Sequence, residues 1–174
     1  HIESSYISPE QLGRIIVPCG TTSIIADPHE IANVCGLKGL RYMLDAATHT
    51  KLNIVYAMPS CVPATPFEDA GAILEAQDMA ELLGDENIFG LGEFMNAPGI
   101  INCDDKALDK ILLAKKFGKL IDGHAPNVTG KNLNAYMSAG IIGDHECTTV
   151  EEMHERIAKG MYVLTTSLTA FTPS

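Results

Sequence analysis

The sequence is short of basic residues and holds no cluster of them. Its 12 lysines and arginines stand against 22 aspartates and glutamates, which gives a net charge of −10. Nucleic-acid backbones and anionic membranes both select for clustered positive charge, so neither is an expected partner. A small neutral or cationic substrate is easier to accommodate.

Long apolar runs are missing too. No stretch approaches the roughly 20 residues that cross a bilayer, and no signal peptide is visible. The five cysteines contain no Cys-x-x-Cys pair, which argues against a zinc ribbon or a disulfide framework; they are Cys19, Cys35, Cys61, Cys103 and Cys147. Scattered thiols are typical of a reducing compartment, so we expect a cytoplasmic location.

Three nucleotide-related signatures are absent. The sequence has no Gly-x-Gly-x-x-Gly and no Gly-x-x-x-x-Gly-Lys-[Ser/Thr], which excludes the common dinucleotide and P-loop sites. It also lacks the Pro-Cys-x-x-Cys motif that follows His-x-Glu in the cytidine-deaminase signature.

Short apolar, β-prone runs alternate with longer amphipathic stretches. The predicted strands are 21–26, 53–58, 88–92, 119–121, 141–142 and 161–164. Two capping boxes mark helix starts, at Ser8-Pro9-Glu10-Gln11 and at Thr148-Thr149-Val150-Glu151, and Gly160 is placed to end the second helix. Alternating strands and helices predict a parallel sheet, and continuous apolar strands indicate that both faces are buried.

The strand ends separate two architectures, an open doubly wound sheet and a (β/α)₈ barrel. Five successive strands are followed by ionisable or nucleophilic residues; these are Asp27-Pro28-His29-Glu30, Ser60-Cys61, Glu93, His124 and His145. In a doubly wound sheet only the ends near the switch point meet a ligand, whereas all strand ends of a barrel converge on one mouth. We therefore predict a partial TIM-type barrel, with strands 2–7 complete, the end of strand 1 at His1 and strand 8 missing.

His124 and His145 lie 21 residues apart, one short βα unit, so they should sit on adjacent strands at the same height. Two imidazoles placed in this way can share a metal ion. Asp122 and Asp144 precede them and Glu146 follows His145, which favours the metal interpretation. The alternative is a pair of core histidines hydrogen-bonded to the backbone.

Glu93 ends a strand of small residues, where a carboxylate can bridge two metal ions. Its alternatives are a cap on the next helix or an ion pair with Arg41. Asp27, His29 and Glu30 put three titratable side chains in four positions, which favours function, although Asp-Pro-His is also a plausible turn.

Several longer motifs then resemble the bacterial adenine deaminases of the metal-dependent amidohydrolase superfamily. They are His1–Ser5, Ala26–Val34, Pro59–Pro66, Gly90–Glu93, Asp122–Pro126 and Asp144–Thr149. The likeness runs in order from residue 1 to about residue 164.

The resemblance implies hydrolytic deamination of adenine to hypoxanthine and ammonia, a step of purine salvage. It implies a binuclear centre of two divalent ions (Mn, Fe or Zn), with His1, Glu93, His124 and His145 as ligands. Two ions that share a water lower its pKa towards neutrality, so the expected nucleophile is metal-bound hydroxide. A carboxyl or imidazole must deliver a proton to the leaving nitrogen, and Glu146, His29, Glu30 and Asp27 are the candidates.

The ends of the chain depart from the family pattern. We expect an amidohydrolase barrel fragment over residues 1–164 and a non-matching tail over 165–174, and weak or no activity from this chain alone. The alternatives are another amidohydrolase, such as a deacetylase or a cyclic-amide hydrolase, and a non-catalytic barrel fragment. The sequence leaves a homodimer open.

Overall fold

A computed structural model describes residues 1–165. The chain forms two compact units, His1–Gly90 and Leu91–Ser174. The predicted tail over 165–174 lies, apart from its first residue, outside the described residues, so the predicted boundary at residue 164 stays a prediction.

Six strands and eight α-helices occur in the described range. The strands are β1 (Ser23–Ala26), β2 (Asn53–Met58), β3 (Ile88–Phe94), β4 (Leu120–Gly123), β5 (Gly143–Asp144) and β6 (Tyr162–Val163). The helices are α1 (Pro9–Ile16), α2 (His29–Cys35), α3 (Leu37–Ala47), α4 (Ala76–Met79), α5 (Ala97–Ile101), α6 (Asp105–Lys116), α7 (Gly130–Ser138) and α8 (Val150–Ala158). Short 3₁₀ turns cover Glu3–Ser5 and Val17–Cys19. Within residues 1–165, none of these helices has the length and apolar character that a membrane crossing requires.

The first unit is built on β1 and β2, which pair in parallel from Ser23 opposite Asn53 to Ala26 opposite Tyr56. Its core surrounds these strands and consists of Ile2, Ala26, Met43, Leu52, Ile54 and Tyr56. The predicted cap of α1 is confirmed, because the Ser8 hydroxyl accepts a hydrogen bond from the Gln11 amide. Parallel strands joined by helices confirm the predicted α/β class for this unit.

The second unit begins inside β3 and carries β4, β5 and β6. β5 and β6 are parallel neighbours, with Gly143 opposite Tyr162. The last residue of β4, Gly123, has to be glycine because the backbone of Gly143 lies very close to it. A Cβ atom at position 123 would be 2.3 Å from the Gly143 carbonyl oxygen. Two glycines therefore bring together the backbones just before His124 and His145.

Five of the six predicted strands overlap the observed ones, and 53–58 has the same bounds as β2. The fifth prediction is wrong: the strand lies at Gly143–Asp144 and not at 141–142. Apolar Ile141 and Ile142 carry the stronger β propensity. The residues that pair with β6 are nevertheless Gly143 and Asp144, which come next in the chain.

The N-cap of α8 also differs from its prediction. The cap is Thr149, whose hydroxyl accepts from the Glu152 amide, one residue later than the predicted box. The Glu152 carboxylate in turn accepts from the Thr148 amide and hydroxyl, at 2.7 and 2.9 Å, and from the Asn127 amide at 2.9 Å. Gly160 ends the helix region with φ +90°, as predicted.

The hydrogen bonds to Glu152 make the stability of the fold depend on the ionisation of this carboxyl group at acid pH. Burial raises the pKa of Glu152, but the hydrogen bonds from Thr148 and the charge of Arg156 outweigh this, so the net shift of the pKa is downward. A carboxyl with a lowered pKa in the folded state stabilises the fold above its ordinary pKa of about 4.3 and loses that effect as the pH falls through its folded pKa.

We therefore expect Glu152→Gln to lower the free energy of unfolding by about 1.5–3 kcal/mol at pH 7, since hydrogen bonds to a charged group are lost. The difference in the free energy of unfolding between parent and variant should become smaller as the pH falls below about 4.3. Urea denaturation across this range measures it, with Glu151→Gln at an exposed neighbouring position as the control. A gap that does not depend on pH would contradict this account.

Candidate metal centre

Three predicted ligands of the second unit lie together. Glu93 Oε2 is 3.1 Å from His124 Nδ1 and 3.0 Å from His145 Nε2, and the two nitrogens are 3.3 Å apart. The Glu93 side chain is 9% exposed, and the histidines are 25% and 24% exposed. We call these three residues the ligand triangle.

The strand ends place the triangle. Glu93 is the penultimate residue of β3, and His124 and His145 are the first residues after β4 and β5. Because the carboxyl ends of parallel strands lie at one edge, side chains at these positions converge. β4 and β5 belong to separate sheets in the described part of the chain, but the ring nitrogens of the two histidines come within 3.3 Å of each other.

The alternatives for these residues are not borne out. Asn96, not Glu93, caps the next helix, with its side chain accepting from the Gly99 amide. Arg41 pairs with Glu81. The histidine rings contact Glu93 and each other, with ring centroids 5.2 Å apart, and are not simply core imidazoles bonded to backbone.

The triangle concentrates negative charge around His145. The hydrogen bond with Glu93 raises the pKa of the His145 imidazole, and burial opposes this shift. The charges of Asp122 and Glu146 act in the same upward direction. Acidic surroundings that favour a proton on this imidazole also favour a metal cation in place of that proton.

The donor set fits a divalent metal ion. Zinc–nitrogen and zinc–oxygen distances of about 2.0–2.2 Å put neighbouring ligands of one ion roughly 3–3.5 Å apart, and the sides of the triangle fall in that range. Two imidazoles and a carboxylate suit Zn, Fe and Mn alike.

The remaining predicted site residues of the first unit form their own polar cluster. His1 Nδ1 lies 3.1 Å from Glu30 Oε2, and His29 Nδ1 lies 2.9 Å from Asp27 Oδ1. The rings of His1 and His29 have centroids 6.2 Å apart. Pro28 occupies the N-cap of α2 and His29 is its first residue.

Sequence reasoning gave little weight to Glu3, which belongs to this cluster. Its Oε1 accepts from the Ile31 amide at 3.2 Å. Burial and the neighbouring Glu30 carboxyl raise the pKa of Glu3. Burial alone would raise the pKa of Glu30 too, but the hydrogen bond from Ser4 and the nearby His1 lower it overall. The two carboxyls therefore have pKa values pushed apart, a pattern common where acid and base roles are divided.

Glu146 follows His145 directly and is half-buried. Its backbone amide donates to Asp144 Oδ1 at 3.1 Å, which fixes the main chain at this position. Cys147, the next residue, is buried, and burial raises the pKa of its thiol. A thiol with a raised pKa is a poor metal ligand.

Three further residues around the triangle were not predicted as site residues. Tyr136, Asp144 and Arg156 are each 0% exposed, and each bonds backbone atoms next to a member of the triangle. Asp144 was noted only as the neighbour of His145, and neither Tyr136 nor Arg156 lies in a recognisable motif. The signal available was a charged residue at a position of α8 that faces the core.

The fold is α/β, and the ligand triangle is a group of side chains able to hold a metal ion. The chain belongs to the amidohydrolase family, which it matches over residues 1–172. Among curated proteins it is similar to "Adenine deaminase 2" of Desulfotalea psychrophila, with 63% identity over 164 residues that make up 94% of this chain and 28% of the relative.

Two further relatives carry the same description. The chain is 60% identical to "Adenine deaminase" of Ligilactobacillus salivarius, again over 94% of this chain and 28% of the relative. It is 50% identical to "Adenine deaminase" of Clostridium acetobutylicum, over 94% of this chain and 29% of the relative. These similarities confirm the resemblance seen in the sequence. The chain spans less than a third of the length of these relatives.

Proposed function

We propose that this chain carries the metal-binding part of an enzyme that hydrolyses adenine to hypoxanthine and ammonia. The observation that carries the proposal is the ligand triangle of Glu93, His124 and His145. Similarity to proteins described as adenine deaminases supplies the substrate class, a purine. The finer architecture we propose is the partial (β/α)₈ barrel, with β1–β6 as its strands 2–7.

The metal set belongs to the same proposal. Glu93, His124 and His145 would hold one divalent ion, with Mn, Fe or Zn as candidates, and His1 stays the predicted ligand of a second. A bound divalent ion supplies hydroxide at neutral pH by lowering the pKa of water. Glu93 is suited to hold the same ion as the two histidines, because its Oε2 lies 3.1 and 3.0 Å from their ring nitrogens.

The reaction also needs proton transfer by the chain itself. The oxygen of water adds to the ring carbon that bears the amino group, the carbon–nitrogen bond breaks, and the nitrogen leaves as ammonia once it has received a proton. We propose Glu146 as the proton carrier, since it is half-buried and its backbone is fixed directly after His145. An acid that shuttles protons must keep such a defined position.

His29, Asp27 and Glu30 are the second group of proposed catalytic residues. Asp27 Oδ1 lies 2.9 Å from His29 Nδ1, and a carboxylate beside an imidazole can orient the ring. Glu30 contacts His1 and Ser4. These contacts favour a role in proton handling over a purely structural turn.

A chimera tests the proposal despite the partial length of the chain. Residues 1–164 would replace the matching segment of the Desulfotalea psychrophila relative, with which they share 63% identity. We expect the purified chimera to release ammonia from adenine, and the same chimera with Glu93→Gln to lose at least about 1000-fold in rate, a loss typical of removing a metal or a central electrostatic group.

Substrate profiling of the chimera separates the alternatives. Turnover of an N-acetylated or cyclic-amide substrate without adenine turnover would show another amidohydrolase activity. A folded chimera that binds metal and hydrolyses none of these substrates would support the non-catalytic alternative. Ammonia release from adenine by the 174-residue chain alone would contradict our expectation that it is weakly active or inactive.

A further inference from the structure

A metal centre built on three strand ends requires these ends to keep their spacing. The sides of the ligand triangle are 3.0, 3.1 and 3.3 Å, and a functional site tolerates displacements of only about 0.5 Å. Backbone hydrogen bonds within the short strands β4 and β5 cannot fix residues that lie beyond them. Something else must hold His124 and His145 in place.

Tyr136 of α7 links the first two strand ends. Its hydroxyl donates to the Phe94 carbonyl oxygen at 2.5 Å and accepts from the His124 amide at 3.0 Å. Phe94 follows Glu93 directly, so one hydroxyl ties the backbone beside one ligand to the backbone of the next. The side chain is 0% exposed, which keeps water from replacing these hydrogen bonds.

Asp144 and Arg156 link the second and third strand ends. Asp144 Oδ1 accepts from the amides of Ala125 and Glu146, each at 3.1 Å. Arg156 of α8 donates from Nε to Asp144 Oδ2 and from a terminal nitrogen to the Ala125 carbonyl oxygen, both at 2.5 Å. Ala125 follows His124 and Glu146 follows His145, so the pair connects the backbone beside both histidines.

We propose that Tyr136 and the Asp144–Arg156 pair are positioning residues that hold Glu93, His124 and His145 at metal-binding distance. The inference rests on the proposed function in taking these three side chains as ligands. A fully buried ion pair is seldom more stabilising than apolar residues of the same volume, so a gain in stability does not explain its presence. Its contacts instead go to the peptide groups beside the ligands.

The test compares two buried tyrosines in the 174-residue chain. Tyr136→Phe removes the linking hydroxyl and keeps the ring, while Tyr56→Phe makes the same change at a buried position in the core of the first unit. Co²⁺ is the probe, since its visible absorption reports both affinity and coordination geometry. We expect Tyr136→Phe to weaken Co²⁺ binding by about 10–100-fold, the usual effect of removing a group that orients a metal ligand, and to alter the spectrum.

A purely structural role gives a different result. It predicts that Tyr136→Phe lowers the thermal midpoint of the metal-free chain and leaves the Co²⁺ dissociation constant and spectrum as in the parent, which would overturn the proposal. Tyr56→Phe should leave both unchanged. An effect of equal size in the two variants would also overturn it, because it would reflect general loosening of the fold.

Arg156→Lys provides a second, milder variant of the other link. Lysine keeps a positive charge beside Asp144 but lacks the planar fork that reaches Asp144 and Ala125 together. We expect a folded protein with weaker Co²⁺ binding; affinity equal to that of the parent would count against the role of the pair.

Crystal structures of the metal-free parent and of Tyr136→Phe separate this inference from the proposed function. If the parent binds no Co²⁺, the metal centre of the proposed function is overturned, and the distances still decide the positioning role. A Glu93–His124 separation that grows by more than about 0.5 Å in the variant supports it. An unchanged ligand triangle overturns it.

Discussion

The Glu93→Gln variant of the 174-residue chain is expected to bind Mn²⁺, Fe²⁺ or Zn²⁺ more than about 100-fold less tightly than the parent. Glu93 Oε2 contacts both imidazoles. Glutamine would replace the charged carboxylate beside the two rings with a neutral amide. Loss of a residue that only orients a ligand weakens metal binding by about 10–100-fold. Loss of a ligand itself should weaken metal binding further. Elemental analysis after equilibrium dialysis measures the loss.

Glu86→Gln is the matched control, because it makes the same substitution at an exposed position shortly before β3. It should bind metal as the parent does. Equal metal content in the parent and in Glu93→Gln would remove Glu93 from the centre. A parent chain without bound metal would count against the whole ligand triangle.

Arg156→Met is expected to cost the fold about 3–5 kcal/mol, the usual penalty for leaving one charge of a buried pair without its partner. Arg156 and Asp144 are both 0% exposed. The variant also removes the hydrogen bonds of Arg156 to the carbonyl oxygens of Ala125 and Glu152. Urea denaturation measures the free energy of unfolding.

An exposed pair supplies the control for this prediction. Arg41 and Glu81 have side chains that are 51% and 57% exposed, and breaking such a pair changes stability by no more than about 1 kcal/mol. Adding Asp144→Asn to Arg156→Met should recover part of the loss, since it removes the buried charge and keeps an acceptor for the Ala125 and Glu146 amides. A cost for Arg156→Met no larger than that for Arg41→Met would contradict the account.

The fold class could be predicted because its signal is local. Strand β2 is a continuous apolar run, and the Ser8 cap and Gly160 mark helix ends through their own backbone chemistry. Strand β5 could not be placed correctly, because Gly143 and Asp144 have low β propensity. Its position is decided by pairing with β6, which is a tertiary interaction.

The ligand triangle was predictable for a related reason. His124, His145 and Glu93 each stand at the end of an apolar run, and parallel strands bring such positions together. Tyr136 and Arg156 were not predictable, because Tyr136 bonds the backbone of Phe94 and His124, and Arg156 bonds the Ala125 carbonyl oxygen in addition to the Asp144 carboxylate. Backbone atoms are the same in every residue, so a partner of this kind leaves no trace in the sequence.

The same property bears on how this centre tolerates evolutionary change. Tyr136 and the Asp144–Arg156 pair bind the peptide groups of Phe94, His124, Ala125 and Glu146, not their side chains. Positions 94 and 125 can therefore drift among residues that fit their surroundings without disturbing the link. Substitution of Tyr136 or Arg156 removes these hydrogen bonds directly, so side chains of α7 and α8 tie together strand ends to which they do not belong.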